Sequence, residues 1–222
     1  ARAGARLFEN SPVLAYDAGE KVRLTLAAGE VVADFAVIAC NGYLDGLAPR
    51  LAQRVMPINN FIVATEPLGE AGARALIRDD VCVADSRFVV NYFRLSADRR
   101  LLFGGGETYS YDFPKDIKAF VRPHLLKVYP QLAETRLDYG WGGTLGITVS
   151  RLPLFMRLSP KVLAAGGYST LAGEILAEAI GGTLSRFDLM AAIPSLPFPG
   201  GRRLRWPLLA LAMSYYALRD RL

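Results

Sequence analysis

Apolar and polar positions alternate through the opening of the chain, and four segments read as strands of period two: Arg6 to Glu9, Val13 to Tyr16, Lys21 to Leu26 and Val31 to Val32. Gly29 marks the turn before the last of them. From Asp34 to Cys40 the alternation gives way to a continuous apolar run, the pattern of a parallel strand covered on both faces. A three-stranded antiparallel meander attached to a parallel strand is therefore expected. Residues 43–54 carry helical spacing, and Pro57 restarts extended structure. Strands follow near 60–66, 80–84, 88–95 and 100–105, which suit an antiparallel sheet. Asp116 to Val128 has helical spacing with Pro123 placed to kink or split it. Strands near 135–142, 146–149, 153–156 and 161–165 lead into a helix at 170–181. Pro194, Pro197, Pro199, Gly200 and Gly201 form an irregular linker, and 206–219 closes as a short amphipathic helix. The fold class is α+β, with no internal repeat.

Composition narrows the class of protein. A chain of 222 residues, 52% hydrophobic, buries one substantial core or two smaller ones. Mean hydropathy is high at +0.22, yet no apolar run reaches the roughly 18–20 residues of a membrane span. The net charge of +5 comes from arginines scattered among acids, except at Arg202, Arg203 and Arg205, which read as a solvated loop. This distribution does not point to nucleic acid. Cys40 and Cys82 sit in apolar strand-like runs, where buried reduced thiols are usual, and no metal-ligand spacing is present. A cytoplasmic location follows as the default. His124, the one histidine, lies after Pro123 with no cysteine or acid at ligand spacing and reads as structural.

The informative chemistry lies in the order of several segments. Tyr139 to Gly143 is an aromatic and glycine cluster, and Arg151-Leu152-Pro153 follows it. The apolar strand Lys161 to Ala165 then enters Gly166-Gly167-Tyr168-Ser169, and a small-residue helix runs on from Thr170. Glycines at such a strand-to-helix turn let the backbone approach a ligand and aim helix N–H groups at it. Upstream lie Val37 to Tyr43, Phe61 to Leu68, Asn91 to Leu95 and Arg100 to Glu107. In this order the segments resemble the carboxyl-terminal half of the FAD-dependent amine and amino-acid oxidases, a family that includes glycine oxidase, sarcosine oxidase and D-amino-acid dehydrogenase. Within it they are most similar to the bacterial gamma-glutamylputrescine oxidase branch.

That resemblance implies a domain plan. Residues 1–51 and 159–184 would be pieces of an incomplete FAD-binding α/β domain, 52–158 an antiparallel-sheet substrate domain, and 185–222 a carboxyl-terminal extension. Two departures accompany it. A dinucleotide-binding enzyme needs a G-x-G-x-x-G turn between its first strand and helix. Gly104-Gly105-Gly106 follows a strand with no helix pattern behind it, so the motif is expected in a part preceding Ala1. In the family the Gly-Tyr-Ser turn continues through Gly-His-Gly, whereas here Ser169 joins Thr170 directly. The junction reads either as a true deletion or as a loop missing from the sequence, and the second is expected.

The resemblance also carries residue roles. Trp141, with Gly142 and Gly143, would lie near the flavin and substrate cavity; read from sequence alone, Trp141 equally suits a core position before a bulge. Tyr92 and Arg94 alternate on a strand and share a face, offering a hydroxyl and a cation to a carboxylate or amine substrate. Arg94 could instead pair with Asp85 or Glu107. Arg151 would face flavin carbonyls or brace its loop. Val13 matches the position whose backbone faces adenine, and Asn41 ends a strand at the carboxyl edge of an open sheet, where ligands bind. Gly167, Tyr168, Ser169 and Thr170 form the turn beside the flavin.

The implied function is oxidation of a primary or secondary amine or amino acid by hydride transfer to flavin, with gamma-glutamylputrescine as a candidate substrate. The cofactor performs that chemistry, so no catalytic side chain is required. The cysteine that covalent members use near Trp141 is replaced by glycine, threonine and leucine, so FAD is expected to be non-covalent. These 222 residues alone would be inactive without the amino-terminal part. Two other readings stay open: a flavin-free ligand-binding module, and a membrane-surface protein using Arg202 to Arg205 and the last helix.

Overall fold

A computed structural model describes residues 4–44, 46–87, 89–108, 112–167 and 171–219. Two compact units divide the chain: Ala1–Met56 with Gly146–Arg202, and Pro57–Leu145 with Arg203–Leu222. The strand at Leu154–Ser159, within the expected 52–158, lies in the first unit, where it pairs with Val162–Gly166.

In the first unit, β1 (Val13–Ala18), β2 (Val22–Leu26) and β3 (Gly29–Ala33) form the expected antiparallel meander. No strand forms at residues 6–9, which are exposed. The continuous apolar run yields β4 (Ala36–Ile38), parallel to β11 (Val162–Gly166); β11 also pairs antiparallel with β10 (Leu154–Ser159). Being central, β11 is covered on both faces. Val162 and Ala164 pack with Val22, Ile38, Leu51 and Val55. Leu163 and Ala165 meet Ile175 and Leu176 of α4 (Ala172–Ile180) and Phe187 of α5 (Ser185–Ala191). The expected helix at 43–54 shrinks to α1 (Pro49–Ala52), with a proline at its first turn. Gly42 and Gly46 lie upstream, where their backbone freedom weakens a helix.

The second unit is built on one sheet of order β6 (Val83–Ala84), β7 (Tyr92–Leu95), β8 (Leu101–Thr108), β5 (Met56–Thr65) and β9 (Leu137–Ile147). β6, β7, β8 and β5 pair antiparallel in turn. Helix α3 (Ile117–Val128) lies on β8, capped by the Asp116 carboxylate, which accepts from the Ala119 N–H at 2.9 Å. Its Val121 and Leu125 join Phe61, Val63, Leu101 and Phe103 in a buried core. Pro123 lies inside α3 without splitting it. The proline removes one helical hydrogen bond, and on either side of it Val121 and Leu125 anchor the helix in the sheet's core.

Two expectations are corrected by packing. The separate strands at 135–142 and 146–149 are one strand, β9, since its glycines seat side chains rather than break it. A Cβ on Gly140 would come within 2.8 Å of Lys118 Cγ, and one on Gly142 within 2.6 Å of the Phe61 ring. The residues after Pro199 are not all linker: α6 (Gly201–Arg219) takes in Gly201 and Arg202 to Arg205, so the arginine cluster is helical. Helix α2 (Gly69–Leu76) and α5 were not foreseen.

Candidate functional site

The parallel pair ends where the chain is richest in small residues. After β4 the backbone passes through Ala39 and Cys40 to Asn41, whose φ of 52° lies in the left-handed region. After β11 it reaches Gly167, with φ of 71°. Between these two ends and the first turns of α4 opens a trough of about 420 Å³, lined among others by Ala39, Asn41, Gly166, Gly167, Gly173 and Ala177. Its place beyond the carboxyl ends of parallel strands is where open α/β sheets bind ligands, and its volume is within the range of about 300–1,000 Å³ for small-molecule sites. Leu171, at the N-cap of α4, offers no side-chain acceptor. No side chain at that position caps the first N–H groups of the helix.

Two contacts fix the walls of this trough. The Asn41 carboxamide Oδ1 accepts the N–H of buried Gly146 at 2.6 Å, so the side chain braces the end of β4 instead of projecting into the cavity. A Cβ on Gly146 would fall 2.8 Å from the Asn41 backbone. On the other side, buried Thr148 donates its hydroxyl to the Leu152 carbonyl at 2.8 Å, and the Arg151 N–H donates to the Thr148 carbonyl at 3.1 Å. This tight turn, with Arg151 at φ 60°, brings the Leu152 oxygen against Gly167, where a Cβ would lie 3.1 Å from it. The Arg-x-Pro segment and the glycine turn thus meet directly. Beside them, burial raises the half-buried Cys40 thiol above its ordinary value, which keeps it protonated.

In the second unit, alternation sorts the sheet into two faces. Phe93 packs against the α3-side core and Leu95 is part of it, so Tyr92 and Arg94 face the other way. On β9, Gly140 and Gly142 are turned toward Lys118, Phe61 and Phe113, which places Trp141 and Gly143 on the same outward face as Tyr92 and Arg94. Trp141 is exposed there, and the core position allowed from sequence is not the one it takes. The Tyr92 hydroxyl donates to the Asn60 Oδ1. The phenol reaches β5 by crossing β8 at Gly104, its cross-strand partner. A Cβ at Gly104 would lie 2.1 Å from the Tyr92 Cζ. The Asp85 carboxylate is engaged by the Asn91 side chain at 2.7 Å and by Arg87 at 3.8 Å.

Each residue singled out from sequence now has a place. Asn41 and Gly167 line the trough, and Arg151 shapes the turn behind Gly167. Tyr92, Arg94, Trp141 and Gly143 share a sheet face; Gly142 lies on the opposite one and seats Phe61. Val13, half-buried, opens β1 and pairs with Leu26 in the meander. Tyr168, Ser169 and Thr170 lie outside the described residues. Sequence reasoning missed Asn60, Gly173 and Ala177. The last two could have been found as small residues at i and i+4 on α4, one turn apart on a single face.

Comparison with known proteins identifies the family and the fold. A family model described as FAD dependent oxidoreductase matches residues 1–179. The chain is 42% identical to the gamma-glutamylputrescine oxidoreductase of Escherichia coli, over 99% of this chain and 53% of that protein. It is 43% identical to a probable oxidoreductase, OrdL, of Rhizobium meliloti, over 100% of this chain and 53% of that one. The chain therefore spans about half the length of the curated relatives it matches. Glycine oxidase from Geobacillus kaustophilus shares the fold at a TM-score of 0.68 and 20% identity, over 84% of this chain and 52% of that one. L-proline dehydrogenase from P. horikoshii does so at 0.66 and 19%, over 84% and 53%.

Proposed function

We propose, from the premise that this chain belongs to the FAD-dependent oxidoreductase family, that it is part of an enzyme oxidising a primary or secondary amine or amino acid, with gamma-glutamylputrescine the favoured substrate. The observation that carries this reading is the small-residue trough at the carboxyl ends of β4 and β11, in a chain 42% identical to a gamma-glutamylputrescine oxidoreductase.

The residues of the trough fit a flat ligand. A Cβ on Gly173 would meet nothing within 4 Å, and Gly166, Gly167, Ala172 and Ala177 add almost no side-chain volume. Bound non-covalently, FAD would accept a hydride equivalent from the carbon that bears the amine. The chain's part is to hold and orient. The N–H groups opening α4 and the helix dipole would stabilise an electron-rich edge. The backbone at Gly167, pressed against the Leu152 carbonyl, sets the depth of the floor. Val13 is assigned a backbone contact to adenine, and Tyr168, Ser169 and Thr170 keep their expected place beside the flavin. Arg151 acts through the turn it shapes.

Substrate recognition is assigned to the outward face of the second unit's sheet. The exposed Arg94 guanidinium attracts a carboxylate. Tyr92, held by its hydrogen bond to Asn60, is assigned a contact to the substrate on the same face. Trp141 supplies a flat apolar wall.

Purification of the full-length protein tests the reading. It should be yellow from bound flavin, and under anaerobic conditions gamma-glutamylputrescine should bleach it. A correctly folded, colourless full-length protein would refute the enzyme and favour a flavin-free ligand-binding module.

A further inference from the structure

Helix α6 lies beyond the family match, which ends at residue 179, yet the curated relatives align over 98–100% of this chain. The flavin reading therefore assigns it no task. Along it, Leu204, Leu208, Leu211 and Tyr215 recur at spacings of four, three and four, which puts them on one helix face. That face is turned to solvent: the four residues are 52%, 37%, 74% and 62% exposed. Ser214, a polar residue beside them, commits its hydroxyl to the Ala210 carbonyl at 2.8 Å.

Charge identifies the surface that would cover this stripe. Residues 201–222 hold five arginines (202, 203, 205, 219 and 221) against one acid, Asp220, a surplus of four in a chain whose net charge is +5. In the sequence the cations bracket the apolar stretch at both ends. A second copy of the chain is a poorer match. The spacing would suit a helical seam, but paired helices would bring ten arginines together with only two aspartates. No helix among the described residues is long and apolar enough to cross a membrane.

We propose that α6 is a membrane-surface helix whose Leu204, Leu208, Leu211 and Tyr215 enter the headgroup layer of an anionic bilayer, with the arginines at its two ends supplying the attraction. Flotation of the full-length protein with lipid vesicles tests this. It should bind vesicles rich in phosphatidylserine, not pure phosphatidylcholine, and raised salt should weaken binding by roughly tenfold or more. The double variant Leu204→Glu, Leu211→Glu should lose binding with an unchanged melting curve, since these two side chains are 52% and 74% exposed. Replacing Arg202, Arg203 and Arg205 by Gln should remove most of the salt-sensitive part. Absence of binding by the natural protein, equal binding to neutral vesicles, or undiminished binding by the double variant overturns the proposal. A dimer that the double variant dissolves, with no vesicle binding, assigns the stripe to a second copy and overturns it as well.

Discussion

The ring of Tyr92 crosses the sheet over Gly104, and the glycine is the reason it can. A Cβ at that position would stand 2.1 Å from Cζ and 2.5 Å from the hydroxyl oxygen. Tyr92 would have to leave, and its hydrogen bond to Asn60 would go with it. Gly104→Ala should therefore destabilise the protein by about 1–3 kcal/mol, the usual cost of overpacking. Substrate KM should rise as well. Urea unfolding and steady-state kinetics on the same preparation check both effects.

Tyr92→Phe and Arg94→Gln separate binding from stability. Removing the phenol hydroxyl should cost about 0.5–1.5 kcal/mol in stability through its lost hydrogen bond. Arg94 is exposed, so its replacement should leave unfolding within about 0.5 kcal/mol. KM should nevertheless rise roughly tenfold or more, as expected for a lost hydrogen bond between charged groups. An unchanged KM in Arg94→Gln would remove this residue from the substrate site.

Asn41 has two separable tasks, a left-handed backbone and an acceptor for the Gly146 N–H. Asn41→Gly keeps the first and loses the second, leaving a buried donor unpaired at a cost of about 1–3 kcal/mol. Asn41→Ala should lose about 1 kcal/mol more, the penalty for a Cβ in the left-handed region. Asn41→Asp keeps an acceptor and should be the mildest of the three. Thermal unfolding of the series reads out that order.

How far these relationships were visible in the sequence depends on their range. The meander followed from period two, and the parallel character of β4 from its continuous apolar run; that its partner is β11, far along the chain, is a long-range relationship that the run does not name. The shared face of Tyr92 and Arg94 needed only local alternation, whereas that of Trp141, on β9, depends on how distant strands align in the sheet. Asn60 could not be read, because its contact depends on how β7, β8 and β5 align across Gly104. β9 looked like two strands because glycine is a strand breaker by propensity, whereas Gly140 and Gly142 are seats for Lys118 and Phe61. On α4, the apolar pattern of Ile175, Leu176 and Ala179 that faces the core masked the small residues on the adjacent face.

Gly173 separates the trough from the stability of the helix that lines it. It sits in the second position of α4 with open space around it, so Gly173→Leu introduces no clash. Helix propensity alone should raise stability by up to about 1 kcal/mol. The same side chain would fill the trough and expel a flat ligand. The variant should melt at or above the natural temperature as apoprotein while retaining little flavin, measured by the ratio of visible to ultraviolet absorbance. Full flavin retention would place the cofactor elsewhere.

His124 provides a pH signature of the second unit. It packs on β8, where a Cβ on Gly106 would lie 3.1 Å from its Nε2. Burial, followed by the charges of Lys127 and Arg87, holds its imidazole below the ordinary histidine value of 6.5. The folded protein thus binds this proton more weakly than the unfolded chain does. The sign follows from linkage: the contribution is fully present above the unfolded value and is lost as pH falls through the lower, folded one. Stability should decline on acidification from neutrality, and His124→Gln should flatten that decline. His124 is the only histidine among these 222 residues. Its proton resonance, assigned by its disappearance in His124→Gln, should titrate with a midpoint below 6.5. A midpoint at or above that value would mean that the imidazole is solvated in the folded state and that α3 does not seal it against Gly106.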